Sequence, residues 1–184
     1  MTITPDDKDW TWVLDQACGE CGFDSTSVAP VDVPGLLRAN AERWRRLLDQ
    51  PAAELRARPA PEVWSPLEYA CHVRDTCHKF HIRLGLMLAE SDPLFENWDQ
   101  DATAIEERYA EQDPATVKAE LGEAAEALAS AFEGVGAADD ERWQRPGRRS
   151  DGSRFTAATL SRYLVHDPIH HIYDVTGVRY AAGA

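Results

Sequence analysis

The sequence lacks any long hydrophobic run, and its first residues are not those of a secreted protein. No stretch of the 184 residues approaches the ~18 consecutive apolar residues that a membrane-spanning helix needs. Residues 1–10 are polar and acidic, whereas a secretory signal begins with basic residues and continues into an apolar segment. We therefore expect a cytoplasmic protein that has no membrane partner.

Positive charge is also scarce. Lys and Arg number 19 against 32 Asp and Glu, which gives a formal net charge of −13. Affinity for nucleic acid comes mainly from clustered Lys and Arg. The one basic cluster, residues 142–149, is short and contains Pro146 and Gly147, so we interpret it as a solvated loop. The composition predicts no nucleic-acid partner.

Cysteine is sparse as well, with four residues in the chain. In a reducing compartment such cysteines indicate thiols or a metal site before disulfides. Cys18 and Cys21 form a CxxC motif, but no second CxxC completes a four-sulfur zinc site. We therefore expect these two thiols to stay outside the metal site predicted below.

The helical patterns in the sequence predict an all-α fold. A chain of this length is long enough for one domain and short for two. Residues 1–30 look irregular and are assigned to an N-terminal extension, and residues 31–184 to one domain. No segment shows a convincing strand pattern. Four helical stretches with apolar faces predict helices that would pack as a four-helix bundle, at residues 34–50, 65–89, 114–133 and 156–176.

The connection between the second and third predicted helices, residues 91–112, is too long for a simple turn. It carries Phe95, Trp98 and Tyr109 among many acidic residues. Long ordered loops in compact domains often have a function. This loop can form the wall of a pocket or cap one end of the bundle, and the sequence leaves both interpretations open.

The fourth predicted helix lacks a charged face. On a helical wheel of ~100° per residue, its aliphatic face lies opposite a face that carries Tyr163, His166, His170 and Tyr173. A helix without a charged face is expected to be buried on both sides. The second face therefore predicts a polar, aromatic cavity.

Histidines on this helix have the spacing of metal ligands. His166 and His170 are four residues apart, so their imidazoles lie one turn apart and can bind one cation. The alternative is that they are only hydrogen-bonded in the core. His171 falls on the aliphatic side and is interpreted as a core histidine or one that supports a ligand. The second helix offers three candidates for a further ligand, among which the residues favour the first only slightly: His72, His78 and His81.

Two motifs resemble the DinB-like superfamily, which includes the mycothiol-dependent maleylpyruvate isomerases and the bacillithiol transferases. The motifs are Trp64-Ser65-Pro66 through Glu68 to His72, and far downstream His166-x-x-x-His170-His171. The resemblance covers residues 34–177 and implies an antiparallel four-helix bundle with one divalent metal ion. The implied ligands are His72, His166 and His170. The isomerase branch typically has a glutamate at the position of His166.

The resemblance implies a metal-dependent enzyme. Three protein ligands leave a coordination position open, as in catalytic zinc sites. Zinc is expected, with nickel, iron or manganese as alternatives. A metal lowers the pKa of a bound thiol or water. The resemblance implies that the nucleophile is a low-molecular-weight thiol such as mycothiol. The protein would then be an S-transferase or isomerase that acts on a small electrophilic substrate.

Tyr163 and Tyr173 are candidate catalytic residues because they share the face of the predicted ligands. They would orient the substrate or stabilise charge.

Two other hypotheses for the function are a non-catalytic metal- or ligand-binding stress protein, and a structural domain with hydrogen-bonded core histidines. The sequence leaves the oligomeric state open, a homodimer included.

Overall fold

The computed structural model describes residue 3 and residues 8–181 of the chain. Four long helices dominate it, as predicted: α1 (Val33–Leu47), α3 (Pro66–Ala89), α5 (Pro114–Glu133) and α6 (Ala157–Thr176). Two short helices, α2 (Ala52–Leu55) and α4 (Gln100–Glu106), lie in the connections. Two short strands, β1 (Pro146–Arg148) and β2 (Arg154–Thr156), pair antiparallel before α6. None of the helices in the described part of the chain is long and apolar enough to cross a membrane.

Local capping explains where the two helices of greatest interest begin and end. At the start of α3 the Ser65 hydroxyl accepts a hydrogen bond from the Glu68 backbone N–H, and the Glu68 carboxylate accepts one from the Ser65 N–H. This reciprocal pair satisfies two N–H groups that have no partner within the helix. Thr156 and Thr159 form the equivalent pair at the start of α6. Gly177, with a φ of 69°, ends α6 in the left-handed conformation that glycine adopts easily.

The core lies between the four long helices, because α1 and α3 each pack against both α5 and α6. The contact of α1 with α6 is partly polar. Asn40 Nδ2 and Trp44 Nε1 both donate hydrogen bonds to the Pro168 carbonyl, at 3.1 and 3.2 Å. Since both donors are buried, this contact sets how α6 is rotated against α1.

The basic cluster at residues 142–149 contains a strand, which corrects its interpretation as a solvated loop. β1 pairs with β2, and its Arg148 exchanges backbone hydrogen bonds with residues of the 91–112 loop, accepting from Phe95 N–H and donating to the Pro93 carbonyl. A three-residue strand is too short to show the alternation of apolar and polar residues by which strands are recognised. The hairpin therefore anchors the start of the 91–112 loop.

Gly147 in β1 is required because no side chain fits there. A Cβ at this position would lie 2.5 Å from Phe95 Cζ and 2.8 Å from Met87 Cγ, and both neighbouring side chains are buried. We expect Gly147→Ala to lower the free energy of unfolding by about 1–3 kcal/mol through overpacking, measured by urea denaturation. The control is Gly85→Ala in α3, which meets nothing within 4 Å and should stabilise the helix. Equal stability of both variants would show that Phe95 can move without cost.

The N-terminal extension packs closely on the bundle. Residues 8–32 form three short 3₁₀ turns that contact α6. Val13, Cys18, Cys21 and Phe23 are buried, with at most 2% of each residue exposed. The apolar residues of the described part of the extension thus join the core.

Candidate metal centre

Among the described residues, the potential ligand atoms of His72, His166 and His170, the set predicted from sequence, do not form one group. Within the described residues, His72 lies with Asp167 and His171, and the potential ligand atoms of these three lie within 4.8 Å of one another. His166 and His170 lie instead with Cys18 and Cys21. The remaining histidines of α3, His78 and His81, are exposed and belong to neither group.

The histidines fall into two groups because α6 carries two overlapping pairs of potential ligands with the same spacing. His166 and His170 are four residues apart, and so are Asp167 and His171. Neighbouring positions on a helix point ~100° apart, so the two pairs face different partners. The second pair faces α3, and the first faces the extension. The D-x-x-x-H spacing was a signal in the sequence for Asp167 and His171, and it places an acid beside the position where the isomerase branch has glutamate.

The distances in the α3–α6 cluster fit a single ion. Asp167 Oδ2 lies 3.5 Å from His72 Nε2 and 3.6 Å from His171 Nε2. Ligand atoms that sit ~2.0–2.1 Å from a tetrahedral zinc ion are about 3.4 Å from each other. We call the cluster of His72, Asp167 and His171 the α3–α6 centre.

The groups around the α3–α6 centre also suit a cation. Asp167 Oδ1 is buried and has no hydrogen-bond partner among the described residues. A carboxylate oxygen left unpaired in the interior is costly, and a bound cation would remove that cost. On the side of the His171 ring that faces away from Asp167, Nδ1 lies 2.7 Å from Asp174 Oδ2. Such a carboxylate contact commonly orients a metal-binding histidine. The His72 ring contacts those of Trp98 and Trp64, at 5.5 and 5.2 Å between centroids.

Charge in the α3–α6 centre is balanced between the acid and the histidines. Burial by itself would raise the pKa of Asp167, but His171 and His72 overcome it and hold that pKa well below its usual range. Burial lowers the pKa of His171, yet Asp167 and Asp174 raise it to about 10. Without a metal ion, His171 is therefore protonated at neutral pH. A metal ion must displace that proton, so its affinity falls as the pH falls.

A cavity of about 350 Å³ borders Asp167 and His171 of the α3–α6 centre, and it also borders His166 and His170. Its size lies within the range of small-molecule pockets. The 91–112 loop forms one wall through Trp98, Asp99, Gln100 and Asp101, and the extension contributes Lys8 and Trp10. The structure thus favours the pocket-wall interpretation of this loop over the end-cap interpretation.

The two tyrosines predicted to be catalytic lie in different places. Tyr163 lines the cavity, and its hydroxyl accepts a hydrogen bond from Arg149 Nη1 at 3.3 Å. Burial raises the pKa of Tyr163, although Arg149 opposes this, so the phenol keeps its proton at neutral pH. Tyr173 is not among the residues that line this cavity; its ring lies 6.0 Å from that of His170.

The second cluster contains the thiols that were expected to lie apart from the predicted ligands. Cys18 Sγ lies 3.6 Å from His170 Nδ1, and Cys21 Sγ lies 3.7 Å from His166 Nε2. Burial, together with the neighbouring His170, lowers the pKa of His166 to about 4. His166 is therefore neutral at physiological pH, which is the form that binds metal ions.

Comparisons with known proteins agree with this architecture. No curated protein matches the sequence. Among solved structures, that of YfiT from Bacillus subtilis superposes with a TM-score of 0.61 at 19% identity, covering 94% of this chain and 91% of that one. It is described as a probable metal-dependent hydrolase with an unusual four-helix bundle topology. The likeness shows a shared fold. The model of the DinB superfamily matches residues 36–175, and the chain therefore belongs to the DinB superfamily.

Proposed function

We propose that this protein is a metal-dependent enzyme whose ion is bound by His72, Asp167 and His171. The observation that carries the proposal is the convergence of these three side chains, two of which, Asp167 and His171, line a cavity. One oxygen of Asp167 is buried and has no hydrogen-bond partner among the described residues. Two histidines and a carboxylate form the ligand set of several catalytic zinc and non-haem iron sites. Zinc is the ion we expect, and nickel, iron or manganese would suit the same donors.

The surrounding residues would prepare the centre for its ion. Asp174 holds Nδ1 of His171, which leaves Nε2 directed at Asp167. The stacked ring of Trp98 restrains His72 and also forms part of the cavity wall. Ligands whose orientation is set in advance lose less freedom on binding. When bound, the ion would lower the pKa of a thiol or water and so supply a nucleophile at neutral pH.

We further propose that the nucleophile is a low-molecular-weight thiol, mycothiol or a relative, and that the reaction is S-transfer or isomerisation of a small electrophile. The motifs shared with thiol-dependent members of the family support this substrate class. Tyr163 would assist it. Because its hydroxyl oxygen accepts from Arg149, its own O–H is left to donate towards negative charge that develops on the electrophile.

A second candidate uses the same centre with water as the nucleophile. The solved structure that superposes on this chain is described as a probable metal-dependent hydrolase, which supports hydrolysis as the alternative. The two candidates differ in one requirement, since only the first needs a thiol.

The test is turnover by untagged protein, stripped with a chelator and reloaded with zinc, nickel, iron(II) or manganese. We expect a metal-dependent rate that saturates with mycothiol when chlorodinitrobenzene or maleylpyruvate is the electrophile. Tyr163→Phe should lower kcat about 100-fold or more, the scale of a lost proton donor, while Tyr173→Phe should retain the rate.

The outcomes separate the candidates. Metal-dependent cleavage of esters or amides without any thiol would replace the transferase by the hydrolase. If the protein binds metal at the α3–α6 centre but turns over neither the electrophiles with mycothiol nor the esters and amides, the enzyme proposal is overturned in favour of a binding protein.

A further inference from the structure

The cluster of Cys18, Cys21, His166 and His170 has the composition of a closed metal site. All four residues are buried, none with more than 5% of its surface exposed. Both cysteines are free thiols. Cys18 and Cys21 are separated by two residues, and His166 and His170 by three, which are spacings found in Cys₂His₂ zinc sites. Four protein ligands distinguish this cluster from the three-ligand α3–α6 centre.

The distances within the cluster match those of tetrahedral zinc. With Zn–S of ~2.3 Å and Zn–N of ~2.0–2.1 Å, sulfur and nitrogen ligands lie about 3.5 Å apart. The observed distances are 3.6 Å from Cys18 Sγ to His170 Nδ1 and 3.7 Å from Cys21 Sγ to His166 Nε2. All four ligand atoms lie within 4.8 Å of one another.

The turn that carries the two cysteines directs their sulfurs to one point. The Cys18 N–H donates to the Phe23 carbonyl, and the Gly22 N–H donates to the Cys18 carbonyl. Gly22 has a φ of +81°, a conformation that disfavours other residues. The Phe23 N–H lies 3.5 Å from Cys21 Sγ, where it would stabilise a thiolate more than a neutral thiol.

Carboxylates support His170 from the opposite side of its ring. His170 Nε2 lies 3.3 Å from Glu20 Oε2 and 3.5 Å from Asp174 Oδ1. A proton on Nε2 would be shared with these acids, so the lone pair of Nδ1 faces Cys18. This carboxylate–histidine arrangement is the usual support of a metal-binding imidazole. Glu20 lies between the two cysteines in sequence, so the turn supplies both ligands and support.

We propose that Cys18, Cys21, His166 and His170 bind a zinc ion that fastens the N-terminal extension to α6. Binding would release the two thiol protons to solvent, and four protein ligands would leave no position for a substrate. The role is therefore structural. The zinc ion would also fix part of the cavity wall. Trp10 of the extension belongs to that wall, and its ring centroid lies 4.8 Å from that of His170.

The proposal is tested by metal analysis and by cobalt(II) substitution of the full chain without a histidine tag. We expect two ions per chain, and an intense sulfur-to-cobalt charge-transfer band from one of them. The Cys18→Ser/Cys21→Ser variant should bind one ion and lack the band. Cys71→Ser, at a buried cysteine outside the cluster, is the matched control and should keep both. His171→Ala should lose an ion but retain the band, so failure at the α3–α6 centre is recognised separately.

Alkylation of the native protein keeps the proposal testable if the double variant unfolds. In zinc-loaded wild-type protein Cys18 and Cys21 should resist a thiol reagent, and their modification, located by mass spectrometry, should accelerate at least 10-fold on adding a chelator. Cobalt-loaded protein without the charge-transfer band, or alkylation of both cysteines at a rate that zinc does not change, would overturn the site.

Discussion

Replacement of His171 by alanine is expected to empty the α3–α6 centre and to lower kcat/KM of the metal-dependent reaction at least about 100-fold. Losing a residue that only orients a ligand typically costs 10–100-fold in metal affinity or activity, and the loss of a ligand should cost no less. His171 Nε2 faces Asp167 at 3.6 Å, so alanine removes a donor from the centre. Asp167 would also lose the positive charge that lowers its pKa.

The comparison that decides between the two ligand sets is His171→Ala against His78→Ala and His170→Ala. His78 is exposed on α3, so its alanine variant should keep metal and activity. His170→Ala should weaken the site at Cys18 and Cys21 while the α3–α6 centre still binds its ion. Metal content and kcat/KM are measured for each purified variant. Full activity of His171→Ala, with loss of the α3–α6 ion in His170→Ala, would restore the set predicted from sequence.

Trp44→Ala is expected to lower the free energy of unfolding by about 3–5 kcal/mol, the usual cost of removing a large aromatic side chain from a core. Trp44 is fully buried in α1. Its indole N–H donates to the Pro168 carbonyl, between the two pairs of candidate ligands on α6. Alanine would therefore leave a void and remove one of the contacts that fix the orientation of α6 about its own axis.

The control for Trp44→Ala is Trp44→Phe, which keeps most of the apolar volume and loses the N–H. Since Asn40 still donates to the Pro168 carbonyl, we expect a loss of only about 1–2 kcal/mol. Both values come from urea denaturation followed by circular dichroism, with zinc in excess and again with chelator. A loss below 1 kcal/mol for Trp44→Ala would show that the α1–α6 contact contributes little to the stability of the bundle.

Most of the four long helices could be predicted because the residues that begin, end and pattern each helix lie within its own segment of the sequence. The capping pair of Ser65 and Glu68 lies within one turn, and Gly177 ends α6 by its own conformational preference. The apolar periodicity of each long helix is likewise contained in its own segment. The β1–β2 hairpin was missed because strands of three residues carry no periodic pattern and are held by contacts with the 91–112 loop.

The sequence by itself determined the four-helix bundle, the family motifs and the four-residue spacing of the ligand pairs on α6. Only the tertiary structure decided which pair faces α3 and which faces Cys18 and Cys21. The difference between the pairs is a rotation of ~100° about the helix axis. That rotation is set by contacts with distant segments, among them the hydrogen bonds from Asn40 and Trp44 to Pro168. A helical wheel describes one helix alone, so it carries no information on which neighbour each of its faces will meet.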